Sequence, residues 1–141
     1  MSTLYETDIC AWSCEQAYFL KRKDFLHLDI ENIAEEIESL SKVHKRALKS
    51  QLKRLLMHLL KLRYQPEMQS DPTSWNRSIY QARADIDDLI EGSPSLKNFI
   101  CEIIPITYES SRRDAAFETC LDLRVFPKEC PWSLEEILNT K

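Results

Sequence analysis

The sequence predicts an all-α protein, a single helical bundle of about five main helices with a short C-terminal helix. Two observations lead there. Only one glycine, Gly92, occurs in 141 residues, whereas a sheet protein of this size needs tight turns that recruit glycine for positive φ. Apolar residues also recur at the 3.6-residue spacing of helices along the chain. The composition, 43% hydrophobic and 30% charged, is that of a chain that buries a core rather than one that stays disordered. Residues 1–141 read as one domain.

The first helix is expected over about residues 8–21, with Thr7 as its N-cap. Ile9, Trp12, Gln16 and Phe19 or Leu20 form its inward stripe. Residues 23–28 carry apolar side chains expected to plug the core. Asp29 opens a second helix on the stripe Ile30, Ile33, Ile37 and Leu40, and a third follows on Leu48, Leu52, Leu55, Leu59 and Leu62. No Gly or Pro interrupts residues 28–65. One helix of that length would span roughly 55 Å, against a diameter of roughly 30 Å for a domain of this size. A bend or break near residues 39–43 is therefore expected, with Ser41 capping the third helix.

Pro66 ends the third helix, and residues 66–73 form a polar loop. The fourth helix, about residues 74–91, buries Trp75, Ile79, Ala82, Ile86 and Leu89, and Gly92 is placed to close it. Ser93 and Pro94 read as the N-cap and first position of a fifth helix. That helix carries Leu96, Phe99, Ile100, Ile103 and Tyr108, with a kink or short interruption expected at Pro105. The tail beyond Leu121 is irregular until Ser133 and Glu136, which match a capping box. Trp12, Leu52, Leu55, Leu59, Trp75, Ile86 and Phe99 are the expected common core.

A formal charge of −4 gives no global attraction for nucleic acid or anionic lipid. No apolar run reaches the 18 residues of a spanning helix, so no membrane association is expected. Residues 1–8 lack the basic and apolar regions of a secretory signal, which points to the cytoplasm. There, Cys10, Cys14, Cys101, Cys120 and Cys130 are reduced thiols. Their odd number and the absence of Cys-x-x-Cys agree with that, and they read as small apolar packing residues.

Charge is segregated along the chain. Residues 24–38 hold six acids and no Lys or Arg, while residues 39–66 hold eight Lys and Arg and no acid. Lys42, Arg46, Lys49 and Lys53 form one helical stripe opposite the leucines. Such a stripe could meet phosphates. No aromatics interleave it and the chain is acidic, so a solvated face, or pairing with Glu31, Glu35 and Glu38, is the expectation. Nucleic acid is not the expected partner.

The remaining constellation is Glu31, Glu35, Glu36 and Glu38 with His58, which interrupts an apolar turn. Glu31, Glu38 and His58 are the candidate metal ligands, and His58 with Glu38 or Glu36 the candidate acid/base pair. Neither the paired Glu-x-x-His signature nor His-Glu-x-x-His is present, and a core histidine with a hydrogen-bonded partner is the commoner case. Arg54 stands one residue too near His58 for the helical ribonuclease pattern. Cys10 and Cys14 have no neighbouring positive charge to activate a thiol. One glycine leaves no room for a phosphate-binding loop, and no cofactor is expected.

Seven ordered motifs carry a family resemblance. They are Tyr5-Glu-Thr-Asp8, Glu35-Glu-Ile-Glu-Ser39, His58-Leu-Leu-Lys61, Tyr64-Gln-Pro66, Ser74-Trp75, Ser93-Pro-Ser-Leu96 and Phe126-Pro-x-x-Cys-Pro-Trp132. Over nearly the whole chain the sequence resembles the Domain of Unknown Function 29 family, best known from bacteria. It departs at Leu40-Ser41, where the family tends to have glycine, and at Pro105, where the family tends to run an uninterrupted helix. The resemblance implies a small α-helical fold and brings no established activity. The leading expectation is a non-enzymatic, intracellular domain that binds a protein partner. The alternative is a metal- or histidine-assisted hydrolase, with nucleic acid as one candidate substrate.

Overall fold

A computed structural model describes residues 3–64 and 72–139. Every regular element in it is helical, and no strand occurs among the described residues. The helices are α1 (Thr3–Thr7), α2 (Ile9–Lys21), α3 (Ile30–Tyr64), α4 (Pro72–Gly92), α5 (Leu96–Thr119) and α6 (Leu134–Leu138), with 3₁₀ turns at Phe25–His27 and Leu123–Val125. The expected helix end at Pro66 and the loop up to residue 71 lie outside the described residues. The chain divides into two compact units, Met1–Val43 and His44–Lys141.

The break expected at residues 39–43 is absent: α3 runs uninterrupted from Ile30 to Tyr64. Ser41, expected to cap a third helix, lies inside α3, and the Ser39 hydroxyl donates back to the Glu35 carbonyl at 2.9 Å within the same helix. With no Gly or Pro to stop propagation, α3 contributes its first turns to one unit and the rest to the other.

In the first unit the cap of α2 is Asp8 rather than Thr7. Asp8 accepts from the Ala11 amide at 3.0 Å, while Thr7 closes the short helix α1. Residues 23–28 do not plug a core. Phe25 is 63% and Leu26 94% exposed, since among its described residues this unit buries only Trp12 and Gln16 on α2 and offers them no interior. The stripe expected to face inward on the first turns of α3 is likewise open: Ile30, Ile37 and Leu40 are all exposed.

The second unit contains the hydrophobic core. Leu48, Leu52, Leu55, Leu56 and Leu60 of α3 pack with Ile79, Ala82 and Ile86 of α4, Ile100 and Tyr108 of α5, and Ile137 of α6. Leu59 and Phe99 are partly buried against that cluster. Trp12 belongs to the other unit, and Trp75 is half-buried with Lys61 Nζ 5.6 Å from its ring centre, so neither joins the common core expected of them. Contacts along α3 and α5 advance together: Lys45 lies over Phe99, the Ser111 hydroxyl donates to the Lys53 carbonyl, and Lys61 pairs with Glu118. The two helices therefore run in the same direction.

Pro105 does not interrupt α5. The carbonyl that loses its donor belongs to Cys101, on the exposed side of the helix where water can reach it. At the start of α5 the cap position is Ser95, not Ser93, and the backbone supplies the bonds: Leu96 and Lys97 amides donate to the Ser93 and Pro94 carbonyls. Gly92 takes no positive φ, whereas Cys120 closes α5 in the left-handed region at φ 58°. The tail is held down by Tyr108, whose hydroxyl donates to the Pro127 carbonyl at 2.6 Å, and by Arg112, which donates to the Phe126 carbonyl. The capping box of α6 forms as expected, and Arg83 donates to the Ile137 and Glu136 carbonyls at its far end.

Candidate functional site

In the first unit α2 is tied to the start of α3 by a chain of polar groups. The Trp12 indole N–H donates to Asp29 Oδ2 at 3.0 Å, and the Asn32 amide donates to the same oxygen at 2.7 Å. The Asp29 backbone N–H in turn donates to Gln16 Oε1 at 2.8 Å. Gln16 is a buried amide on an apolar stripe, and this bond gives it a partner. The hydrogen bond from Asn32, then that from Trp12, holds the Asp29 carboxyl below its usual range against the opposing effect of desolvation. Tyr5 packs edge-on against Trp12 at 4.8 Å and donates its hydroxyl to Glu36 Oε1 at 2.7 Å. That bond to a carboxylate pushes the phenol up to about 12.

Beside this framework lies an open groove of about 320 Å³, lined chiefly by Trp12, Leu20, Ile33, Ile37 and Leu40 with Glu36 on its wall. Ile37 is 62% and Leu40 64% exposed. Glu31 and Glu38 are solvated and seven residues apart, two turns along the polar side of α3 and away from the groove lining.

The other candidate residues are distributed differently. His58 sits in the α3 segment of the second unit, half-buried, and its Nδ1 is buried with no hydrogen-bond partner among the described residues. Burial lowers its pKa first, then the charges of Lys61 and Arg54, with Glu118 opposing them. The carboxylate acting on this imidazole is thus Glu118, which is itself paired to Lys61 at 3.1 Å. Glu36 is instead bonded to Tyr5. Among the described residues no group of three or more His, Cys, Asp or Glu is arranged to hold a metal ion.

The basic stripe also resolves residue by residue. Glu31, Glu35 and Glu38 are on the same helix as the lysines, not a preceding one, and Lys53 pairs across to Asp114 on α5 at 3.0 Å. Lys42, Arg46 and Lys49 are exposed. The cysteines are not packing residues: Cys10, Cys14, Cys101 and Cys120 are exposed, and only Cys130 is half-buried. Sequence reasoning missed Tyr5, Asp29 and Glu118. The one available signal was Gln16, a polar side chain on an apolar stripe that required a partner.

These features define an all-α chain with a leucine-rich core in one unit and an open helical groove in the other. No helix among the described residues is long and apolar enough to cross a membrane. The family model for the Domain of unknown function DUF29 matches residues 4–141, and the chain belongs to that family. No curated protein and no solved structure matches it.

Proposed function

We propose that this chain is a non-enzymatic, partner-binding domain acting inside the cell, and that α2 with the first turns of α3 forms its binding face. The observation that carries the reading is the exposure of Ile37 and Leu40 beside Trp12, Leu20 and Ile33 in one groove. Contiguous apolar surface of this kind marks interaction sites, and its removal from water is favourable by about 25 cal/mol per Å². The groove rests on a fixed base, since Trp12, Gln16, Asp29 and Asn32 satisfy one another, so a partner meets a preorganised surface.

A hydrolase built on His58 has less behind it. Its Nδ1 has no partner among the described residues to set a tautomer, and Glu118 is already engaged by Lys61. Nucleic acid binding along Lys42, Arg46, Lys49 and Lys53 is weakened by the Asp114 charge at one end of the stripe.

Crosslinked pull-down from the native host, with wild type and an Ile37→Asp/Leu40→Asp variant side by side, tests the proposal. Both residues are exposed, so the variant folds, which circular dichroism verifies. A protein captured by wild type and lost in the variant is the expected result. Capture unchanged by the variant removes the groove from the reading. A folded protein that hydrolyses nucleic acid, with the activity lost in His58→Gln, defeats the reading altogether.

A further inference from the structure

We infer that the groove of the first unit takes a basic amphipathic helix from a different protein, a deepening that rests on the partner-binding reading above. The shape argument comes from the lining. Two helices present Trp12, Leu20, Ile33, Ile37 and Leu40 to one shared channel, and a third helix laid along it completes a three-helix layer by filling the groove between them. The lining runs from Trp12 to Leu20 on α2 and from Ile33 to Leu40 on α3, a channel about 12 Å long. That length takes roughly two turns of helix, with apolar anchors at spacings of about three and four residues.

Charge selects among the helices that fit. Residues 1–43 contain nine Asp and Glu against four Lys and Arg, a net charge of −5, while the whole chain carries −4. The surplus of acid therefore belongs entirely to the unit that holds the groove. Glu36 stands on the groove wall. A second copy docked through this face would set −5 against −5, and like charges across an interface oppose association. An anionic membrane surface is repelled for the same reason. Lys and Arg flanking an apolar helical stripe supply the complementary rim, and their stems cover the apolar margins as well.

The probe is a fluorescein-labelled peptide of about 16 residues, with Leu on one helical face and Lys on its flanks. A second peptide has the same Leu face and Glu in place of every Lys. Anisotropy titrations of the full chain with each peptide, at roughly 0.1 M and 0.5 M salt, read the preference directly. The Lys peptide is expected to bind at least about tenfold more tightly than the Glu peptide. That binding is expected to weaken with salt, to weaken several-fold in Glu36→Gln, and to vanish in Ile37→Ser/Leu40→Ser.

Equal binding of the two peptides, or binding of neither, overturns the assignment. Self-association seen by sedimentation velocity and removed by Ile37→Ser/Leu40→Ser also overturns it, since a second copy would then occupy the face. Groove-dependent capture in the native host without a preference for the Lys peptide leaves partner binding standing and removes only the basic helix. Lys-peptide binding that survives the groove variant places the interaction elsewhere on the acidic surface and ends the proposal.

Discussion

Trp12 donates its indole N–H to Asp29 Oδ2 at 3.0 Å across seventeen residues of sequence, and that bond joins α2 to the residue that opens α3. The Asn32 amide shares the same acceptor oxygen. Asp29→Ala therefore strands two donors, whereas Trp12→Phe removes one donor and keeps an aromatic ring against Tyr5. Both substitutions should speed amide hydrogen exchange in α2, Asp29→Ala the more, while the buried turns of α5 keep their protection. Because the Asp29 carboxyl is held below its ordinary 3.8, its contribution is present above that value and is lost as pH falls through the depressed one. Exchange mass spectrometry in which the two variants match wild type over α2 would show that the node does not hold the hairpin.

Leu55 and Leu40 lie on the same helix and bury opposite fractions of themselves. Leu55 is fully buried and Leu40 is 64% exposed. Leu55→Ala should cost about 2–5 kcal/mol in urea unfolding through lost transfer energy and the cavity left behind. Leu40→Ala should fall within about 0.5 kcal/mol of wild type. Similar losses at both positions would mean that Leu40 is covered in solution.

That contrast also bounds what the sequence could disclose. The stripes Ile30-Ile33-Ile37-Leu40 and Leu48-Leu52-Leu55 look alike as patterns, because periodicity reports that a helix is amphipathic and not what lies on its apolar face. The all-α class was legible from one glycine and that periodicity, and so was the capping box at Ser133. The continuity of α3 was not, since the argument for a break weighed helix length against one compact body, and α3 serves two units. Tyr5 with Glu36 and Lys61 with Glu118 were out of reach for another reason. Their partners are 31 and 57 residues apart, and no local rule pairs residues at such distances.

Glycine and the left-handed backbone have parted company in this chain. Gly92 ends α4 without positive φ, and a Cβ there would meet nothing within 4 Å. Cys120 adopts φ 58° at the end of α5, where glycine is favoured. Gly92→Ala should stabilise by about 0.4–1 kcal/mol through the unfolded chain's lost freedom. Cys120→Gly should stabilise by about 0.5 kcal/mol, the relief of left-handed strain less the added unfolded entropy. Denaturant midpoints at constant slope measure both, and a loss at Cys120→Gly would assign the thiol a packing role.

His58 is more readily neutral in the folded chain than in the unfolded one, because burial lowers its pKa from 6.5. The unfolded state thus binds more protons between the depressed value and 6.5, and stability rises with pH across that window. Above 6.5 the contribution is fully present, and it is lost as pH falls toward the depressed value. His58→Gln should flatten this part of the stability profile measured by urea unfolding at stepped pH. A slope that persists in His58→Gln would trace it to another group.

Lys61 and Glu118 supply the remaining test, because they act on stability and on His58 together. The Lys61 side chain is 10% exposed, with Nζ 3.1 Å from Glu118 Oε2 and 5.6 Å from the Trp75 ring centre. Glu118→Gln leaves that ammonium largely buried without its counter-charge. The cost should be about 1–2 kcal/mol, below the roughly 3–5 kcal/mol of a fully buried pair, because the Glu118 side chain is 45% exposed and its site stays wet. Lys61→Met/Glu118→Gln should recover most of that loss, since methionine keeps the stem against Trp75 and needs no charge partner. The imidazole reads the same charges with opposite signs. Lys61 lowers the His58 pKa and Glu118 raises it, so Lys61→Met should move it up and Glu118→Gln down in an NMR titration. Shifts of one sign in both variants, or none in either, would mean that the pair and the imidazole do not share one electrostatic environment.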